Sequence, residues 1–251
     1  MPTPEPLMKL TMMRRMVVLT TTVLVSVGLY SIINHFLVPR EVSRTLETSI
    51  DTMVPFNPNG MFFYGGIYAV ALSPACLVLD RRLLMRCALG FGILLALAVP
   101  FWLLWPVTVP RSPLEGDGLL LWGVAFVRWA DPPMNCFPSM HVGETVLAAY
   151  FCARMDRRVG IAVGLFAAGV WWSTMAIDQH WFVDGLVGAG LALGVGHAVL
   201  AVRPLPRVAF TAASPVRMLW AFALYVTMFT ALALPWWMGW ATAGDLRALT
   251  P

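Results

Sequence analysis

His180 and Asp184 stand four residues apart in Gln179-His180-Trp181-Phe182-Val183-Asp184, so on a helix they share a face. A carboxylate placed this way accepts from one imidazole nitrogen, fixes the tautomer and leaves the other nitrogen to attack. Earlier in the chain, Asn135-Cys136-Phe137-Pro138-Ser139-Met140-His141 puts a serine and a second histidine at the head of an apolar run, Val142 to Ala153. Backbone N–H groups at a helix start are unpaired and the dipole there favours an anion, so this end can cradle a phosphate. Two histidines and a carboxylate beside such a cradle suit acid/base and nucleophilic chemistry on a phosphate ester at a membrane surface. The same residues also have a plain structural reading. Ser139 would be a helix cap beside an interfacial histidine, and His180 with Asp184 a polar pair at a helix end. Ionisable residues at membrane depth favour the functional reading.

His141, His180 and Asp184 could also ligate a metal. No HxxxH, HExxH or cysteine ligand supports that, nearby arginines would repel a cation, and the expectation is no metal and no cofactor. Arg111 and Arg128 flank the loop before Ser139, and the planar guanidinium fork suits phosphate oxygens. Glu144 follows His141 by three residues inside an apolar run. It is either a hydrogen-bonded structural carboxylate or a group that reads a substrate head group or relays a proton. Gln179, next to His180, completes the substrate-binding set of Arg111, Ser139, Arg128, Glu144 and Gln179. Asp178 is a further candidate for an acceptor's hydroxyls. Cys76, Cys87, Cys136 and Cys152 have no CxxC spacing and read as packing. His35 and His197 are isolated in apolar runs.

The elements that must carry these residues are membrane helices. Of the 251 residues 59% are hydrophobic and 12% charged, against roughly 25% charged in a soluble domain. No basic stretch with interleaved aromatics suggests nucleic acid, and a soluble enzyme is excluded. A bilayer span needs about 20 largely apolar residues. Candidates are Met16 to Val38, Met61 to Leu79, Cys87 to Val107, Ser139 to Ala153, Val159 to Ile177, Phe182 to Val202 and Met218 to Ala241. The fourth is short and should extend at one end. The first is too long for a signal-peptide core and lacks a cleavage site. Pro39 to Gly60 is amphipathic and rich in turn residues, and Ser112 to Pro133 reads as a polar segment.

The expectation is an all-α polytopic membrane bundle in one domain, 1–251. About six core transmembrane helices would hold a catalytic core at about 56–202. A peripheral C-terminal helix at about 216–242 would carry Trp236, Trp237 and Trp240 near its outer end. Arginine placement orients it. With the N-terminus cytoplasmic, inner segments hold Lys9, Arg14, Arg15, Arg81, Arg82, Arg86, Arg154, Arg157, Arg158, Arg203, Arg207 and Arg217. The outer ones hold Arg40, Arg44, Arg111, Arg128 and Arg247. Both polar clusters then share the outer face.

The pattern resembles the type 2 phosphatidic acid phosphatase superfamily, in particular its branch that includes inositol phosphorylceramide synthases. That superfamily carries Lys-x6-Arg-Pro, Pro-Ser-Gly-His and Ser-Arg-x5-His-x3-Asp. This chain has Pro110-Arg111-Ser112, then Pro138-Ser139-Met140-His141, then Ser173-Thr174 followed by His180 and Asp184. Leu104, Ser112, Met140 and Thr174 stand where the family has lysine, proline, glycine and arginine. Asp131-Pro132-Pro133-Met134-Asn135-Cys136-Phe137-Pro138-Ser139-Met140-His141 and Gln179-His180-Trp181-Phe182-Val183-Asp184-Gly185 look like the synthase branch. The resemblance runs from about Phe56 to Val202. It implies that His180 becomes a phosphohistidine, Asp184 orients it, His141 protonates the leaving alcohol, and Ser139 and Arg111 hold phosphate oxygens. Arg128 would compensate for the missing cations.

The resemblance therefore implies a metal-independent lipid phosphatase or phosphotransferase acting on a lipid phosphate at the outer leaflet. Partners would be the bilayer, a lipid phosphate substrate and, for transfer, an alcohol acceptor. The expected location is a bacterial cytoplasmic membrane with the site facing the periplasm or exterior. The reading from another class is a non-catalytic lipid-binding or transport protein on the same scaffold.

Overall fold

The computed structural model describes residues 10–37, 44–201 and 214–239, together with 242, 244 and 246. In chain order the helices are α1 (Met12–Ile32, continued by one π-helical turn, Ile33–Leu37), α2 (Met61–Tyr64), α3 (Ile67–Leu77) and α4 (Arg81–Leu104). There follow α5 (Leu119–Ala130), α6 (Met140–Met155), α7 (Arg157–Ala176), α8 (Phe182–Ala201) and α9 (Ser214–Trp237). No strand forms among the described residues; Val107 makes isolated bridges to Arg44 and Asn135.

Short polar side chains set where the helices begin, by accepting from N–H groups that the first turn leaves unpaired. Asp80 accepts from Arg82 and Leu83 at the head of α4, which therefore starts at Arg81 rather than at the expected Cys87. Asp156 ends α6 and caps α7 through Arg158 and Val159. A single residue thus turns the chain from one helix into the next.

Among the described residues, five spans are long and apolar enough to cross a membrane: Met12–Leu37, Pro58–Leu77, Arg81–Leu104, Arg157–Ala176 and Phe182–Ala201. The chain is the all-α polytopic bundle that its composition predicts. Large apolar side chains such as Leu24, Leu89, Leu165, Leu193 and Phe222 stay exposed on its outside, as lipid-facing positions require. α6 is the hub, packed against α3, α4, α7 and α8. It is buried nearly all round, from Val142 and Glu144 to Leu147, Phe151 and Met155, so it needs no single apolar stripe. It extends two residues past the expected Ala153.

α5 departs from the sequence reading. It is a 12-residue apolar helix with Trp122, Val124 and Ala125 buried, inside the stretch taken as polar. It is too short to span, so a search at bilayer length passes over it. α9 packs on α3 and α5.

The bundle has two chemically distinct ends. Arg14 and Arg15 at the head of α1, Arg81, Arg82 and Arg86 at the head of α4, and Arg154, Arg157 and Arg158 at the α6–α7 turn lie at one. The ends of α4 and α7 and the heads of α6 and α8 meet at the other, with Arg44, Arg111 and Arg128. Lys9, Arg40, Arg203, Arg207, Arg247 and Trp240 lie outside the described residues.

Candidate active site

His180 is aimed by the way α7 stops. Asp178 takes a left-handed conformation, φ 57°, which a short polar side chain tolerates better than most. The backbone N–H groups of Gln179 and His180 both return to the Thr174 carbonyl, at 2.9 and 3.1 Å. The Asp178 carboxylate is held in turn by the Ser112 backbone N–H at 2.8 Å and by Arg128 Nη2 at 3.0 Å.

The head of α6 comes to His180 because α6 and α8 nearly touch. The Ser139 N–H donates to the Asp184 carbonyl at 3.0 Å. Gly188 lies so close to Ser139 that a Cβ there would overlap the Ser139 backbone. The Ser139 hydroxyl accepts from the Val142 N–H at 3.4 Å and caps the helix.

These constraints bring the two histidines into contact and fix their protons. His180 Nδ1 lies 2.8 Å from the Cys136 carbonyl oxygen. A carbonyl only accepts, so Nδ1 carries the hydrogen and Nε2 is a lone pair. That Nε2 is 2.9 Å from His141 Nδ1, which must donate to it. His141 Nε2 is then an acceptor, 3.2 Å from the Tyr64 hydroxyl. With both imidazoles neutral, the chain Tyr64 to His141 to His180 to Cys136 has one self-consistent proton arrangement, and it leaves an unprotonated nitrogen on His180.

Asp184 is fully buried with its Oδ2 3.5 Å from His180 Nδ1. The same oxygen accepts from the Trp181 N–H at 2.8 Å, and Oδ1 has no partner among the described residues. The Cys136 carbonyl, itself placed by the Cys136 N–H to Val107 carbonyl bond of 3.2 Å, is therefore the nearer acceptor for His180. Asp184 supplies negative charge behind it.

Arg111 donates from Nη1 to the Arg128 carbonyl at 2.9 Å and from Nη2 to the Asp131 carbonyl at 2.6 Å. It thereby closes the carbonyl end of α5. Its Nε is buried and unpartnered. Burial pulls the guanidinium below the usual arginine value, with Asp131 the chief opposing charge. Burial likewise pushes the Asp131 carboxyl up, against hydrogen bonds from Tyr30 and Asn34. Arg128 is spent on the Ser112 carbonyl at 2.6 Å and on Asp178, over the Phe56 ring. Gln179 is buried beside His180 with an unpartnered Nε2, as is Nδ2 of Asn135. Glu144 is 6% exposed on α6; together with His141 it lines a cavity.

The donor atoms of Cys136, His180 and Asp184 lie within 4.8 Å of one another. This is a different trio from His141, His180 and Asp184. His180 Nδ1 and Asp184 Oδ2 are already hydrogen-bonded to the backbone.

Sequence reasoning missed Tyr64, Asp131 and the Cys136 carbonyl. Tyr64 sits in an apolar run without a polar neighbour. A backbone carbonyl leaves no trace in residue type. Asp131, inside the quoted Asp131-Pro132-Pro133 string, was the one with a signal: a carboxylate between an apolar segment and a proline pair.

No solved structure matches the chain. A stretch of 61 residues is 37% identical to inositol phosphorylceramide synthase from Candida albicans, covering 24% of this chain and 13% of that protein. The family model described as the PAP2 superfamily matches residues 60–199, which takes in both histidines, the two arginines, α2 to α7 and nearly all of α8. The chain, which spans about an eighth of the length of that synthase, belongs to the PAP2 superfamily.

Proposed function

We propose that this protein cleaves a lipid phosphate ester or anhydride through a phosphohistidine on His180, without a metal. The observation that carries the reading is the 2.9 Å approach of His180 Nε2 to His141 Nδ1, with His180 Nδ1 turned to the Cys136 carbonyl. Nε2 attacks phosphorus and forms a P–N bond. The P–O bond to the lipid alcohol breaks, and that oxygen takes the Nδ1 proton of His141, which reacts as the imidazolium after taking up a solvent proton at Nε2 with the Tyr64 hydroxyl turned to accept it. His141, now neutral and unprotonated at Nδ1, accepts a proton from water or a second alcohol as its oxygen attacks phosphorus and the P–N bond breaks. Asp184 and the Cys136 carbonyl stabilise the cationic imidazole of the intermediate. The helix start at Ser139, the remaining donors of Arg111, and the Gln179 amide hold the phosphoryl oxygens, stabilisation of the oxyanion type. Arg128 acts with Asp178 to hold the turn that aims His180, and so supports the site that the missing family cations would otherwise serve.

The active end faces the exterior and the N-terminus the cytoplasm, because the arginine-rich turns lie at the other end. We place the protein in a bacterial cytoplasmic membrane, as one domain with its catalytic core at about 56–202 and α9 peripheral to it. Transfer to an alcohol is the second reading, favoured by the likeness to a protein named as a synthase.

The test is phosphate release from a panel of lipid phosphates by the detergent-purified protein, with and without EDTA, beside His180→Ala. EDTA-resistant release that vanishes in the variant is expected. Release that EDTA abolishes, or that survives in His180→Ala, would sink the mechanism.

A further inference from the structure

Beneath His141 lies a cavity of about 220 Å³ walled by α1, α2, α3, α4, α5 and α6. His141 and Glu144 share its α6 wall, Glu144 roughly 4.5 Å deeper along the helix axis. The lining holds two carboxylates, Asp131 and Glu144, but no lysine or arginine, and several aromatic rings, among them Tyr30, Tyr68 and Trp122. Asp131 already accepts from Tyr30 and Asn34. Glu144, nine-tenths buried, has no hydrogen bond or ion pair with another described residue and lines this cavity.

An occupant must therefore satisfy Glu144, because a buried polar group without a partner is costly. A phosphate would meet two carboxylates and no cation. An acyl chain would fill the volume and leave Glu144 unpaired. An alkylammonium group meets every demand: its charge faces the carboxylates, and its N–H or N-methyl groups lie against electron-rich rings. The one-turn offset between His141 and Glu144 also matches a two-carbon bridge from a hydroxyl to an ammonium. We propose that this cavity is the subsite for an amino-alcohol, its oxygen at His141 and its ammonium on Glu144. The proposal rests on the reading of His141 as proton donor to the alcohol oxygen. The amino-alcohol can be the head group of a phospholipid or a free acceptor.

Binding is measured without turnover, so its failure is separable from failure of the phosphohistidine reading. Thermal melting of the full chain in detergent is followed with ethanolamine, choline, glycerol and myo-inositol. The two ammonium compounds should raise the Tm of wild type and of His180→Ala alike, through binding to the folded state. They should lose at least tenfold in apparent affinity in Glu144→Gln, and in part in Glu144→Asp should the glutamine variant fail to fold. An equal response to polyols, or a response undiminished in the glutamate variants, overturns the proposal, as does none to ammonium. Two further arms identify the source. Release of ethanolamine from phosphatidylethanolamine assigns the head group. Formation of labelled O-phosphoethanolamine from free labelled ethanolamine and phosphatidic acid micelles, with release of diacylglycerol, assigns the acceptor. Neither, while phosphatidic acid is still hydrolysed, contradicts the subsite.

Discussion

At the scale of single residues the account turns on who holds which proton. The Cys136 carbonyl forces the hydrogen onto His180 Nδ1, and everything downstream to Tyr64 follows from the acceptor-only chemistry of that oxygen. In the proposed mechanism His141 is a proton donor whose value depends on the leaving group. Replacing His141 with alanine should lower turnover of an alkyl phosphate about 10²–10⁴-fold. A p-nitrophenyl ester, whose leaving oxygen needs no proton, should be affected far less. Equal losses on the two esters would assign His141 a structural duty instead. His141, His180 and Asp184 were legible in the sequence because imidazoles and carboxylates are rare at membrane depth and each stood at the head of an apolar run. The Cys136 carbonyl was not, since every residue has one and only the fold selects which is used.

At the scale of elements, two backbone features set the distance between the histidines. The first is the near-contact of α6 and α8 at Ser139 and Gly188. Gly188→Val should push α8 away, abolish turnover and lower the Tm. Wild-type activity in that variant would mean that the crossing is slack. The second is the left-handed Asp178 that ends α7. Asp178→Gly keeps the conformation and removes the carboxylate that Ser112 and Arg128 hold, whereas Asp178→Asn keeps the conformation and part of the bonding. We expect the asparagine variant to retain more activity than the glycine variant, with Arg128→Ala resembling the latter. If Asp178→Gly is silent, the turn does not depend on that pair. Element positions were largely readable from hydropathy; the start of α4 behind Asp80 was not, because its arginine-rich first turn falls outside the apolar run. α5 was missed because a 12-residue helix falls below the length that a bilayer demands, although its apolar run is plain once the length criterion is dropped.

For the whole molecule, the separation of the arginine-rich turns from the histidine end makes a topology that can be measured directly. All four cysteines are buried, so introduced thiols report with little background. Glu115→Cys, exposed on the loop beside the site, should react with a membrane-impermeant maleimide in intact cells. Arg157→Cys, exposed at the α6–α7 turn, should react only after the membrane is opened. The reverse pattern would turn the protein over and move its chemistry to the cytoplasmic leaflet.

The central claim is that phosphorus passes through a bond to His180. Rapid-quench mixing with a ³²P-labelled lipid phosphate, followed by peptide mapping, asks this directly. The account predicts an acid-labile, base-stable label on the peptide carrying His180, absent from His180→Ala and discharged on addition of an acceptor alcohol or with time in water. Turnover with the label on another residue, or a label that persists in His180→Ala, would contradict it.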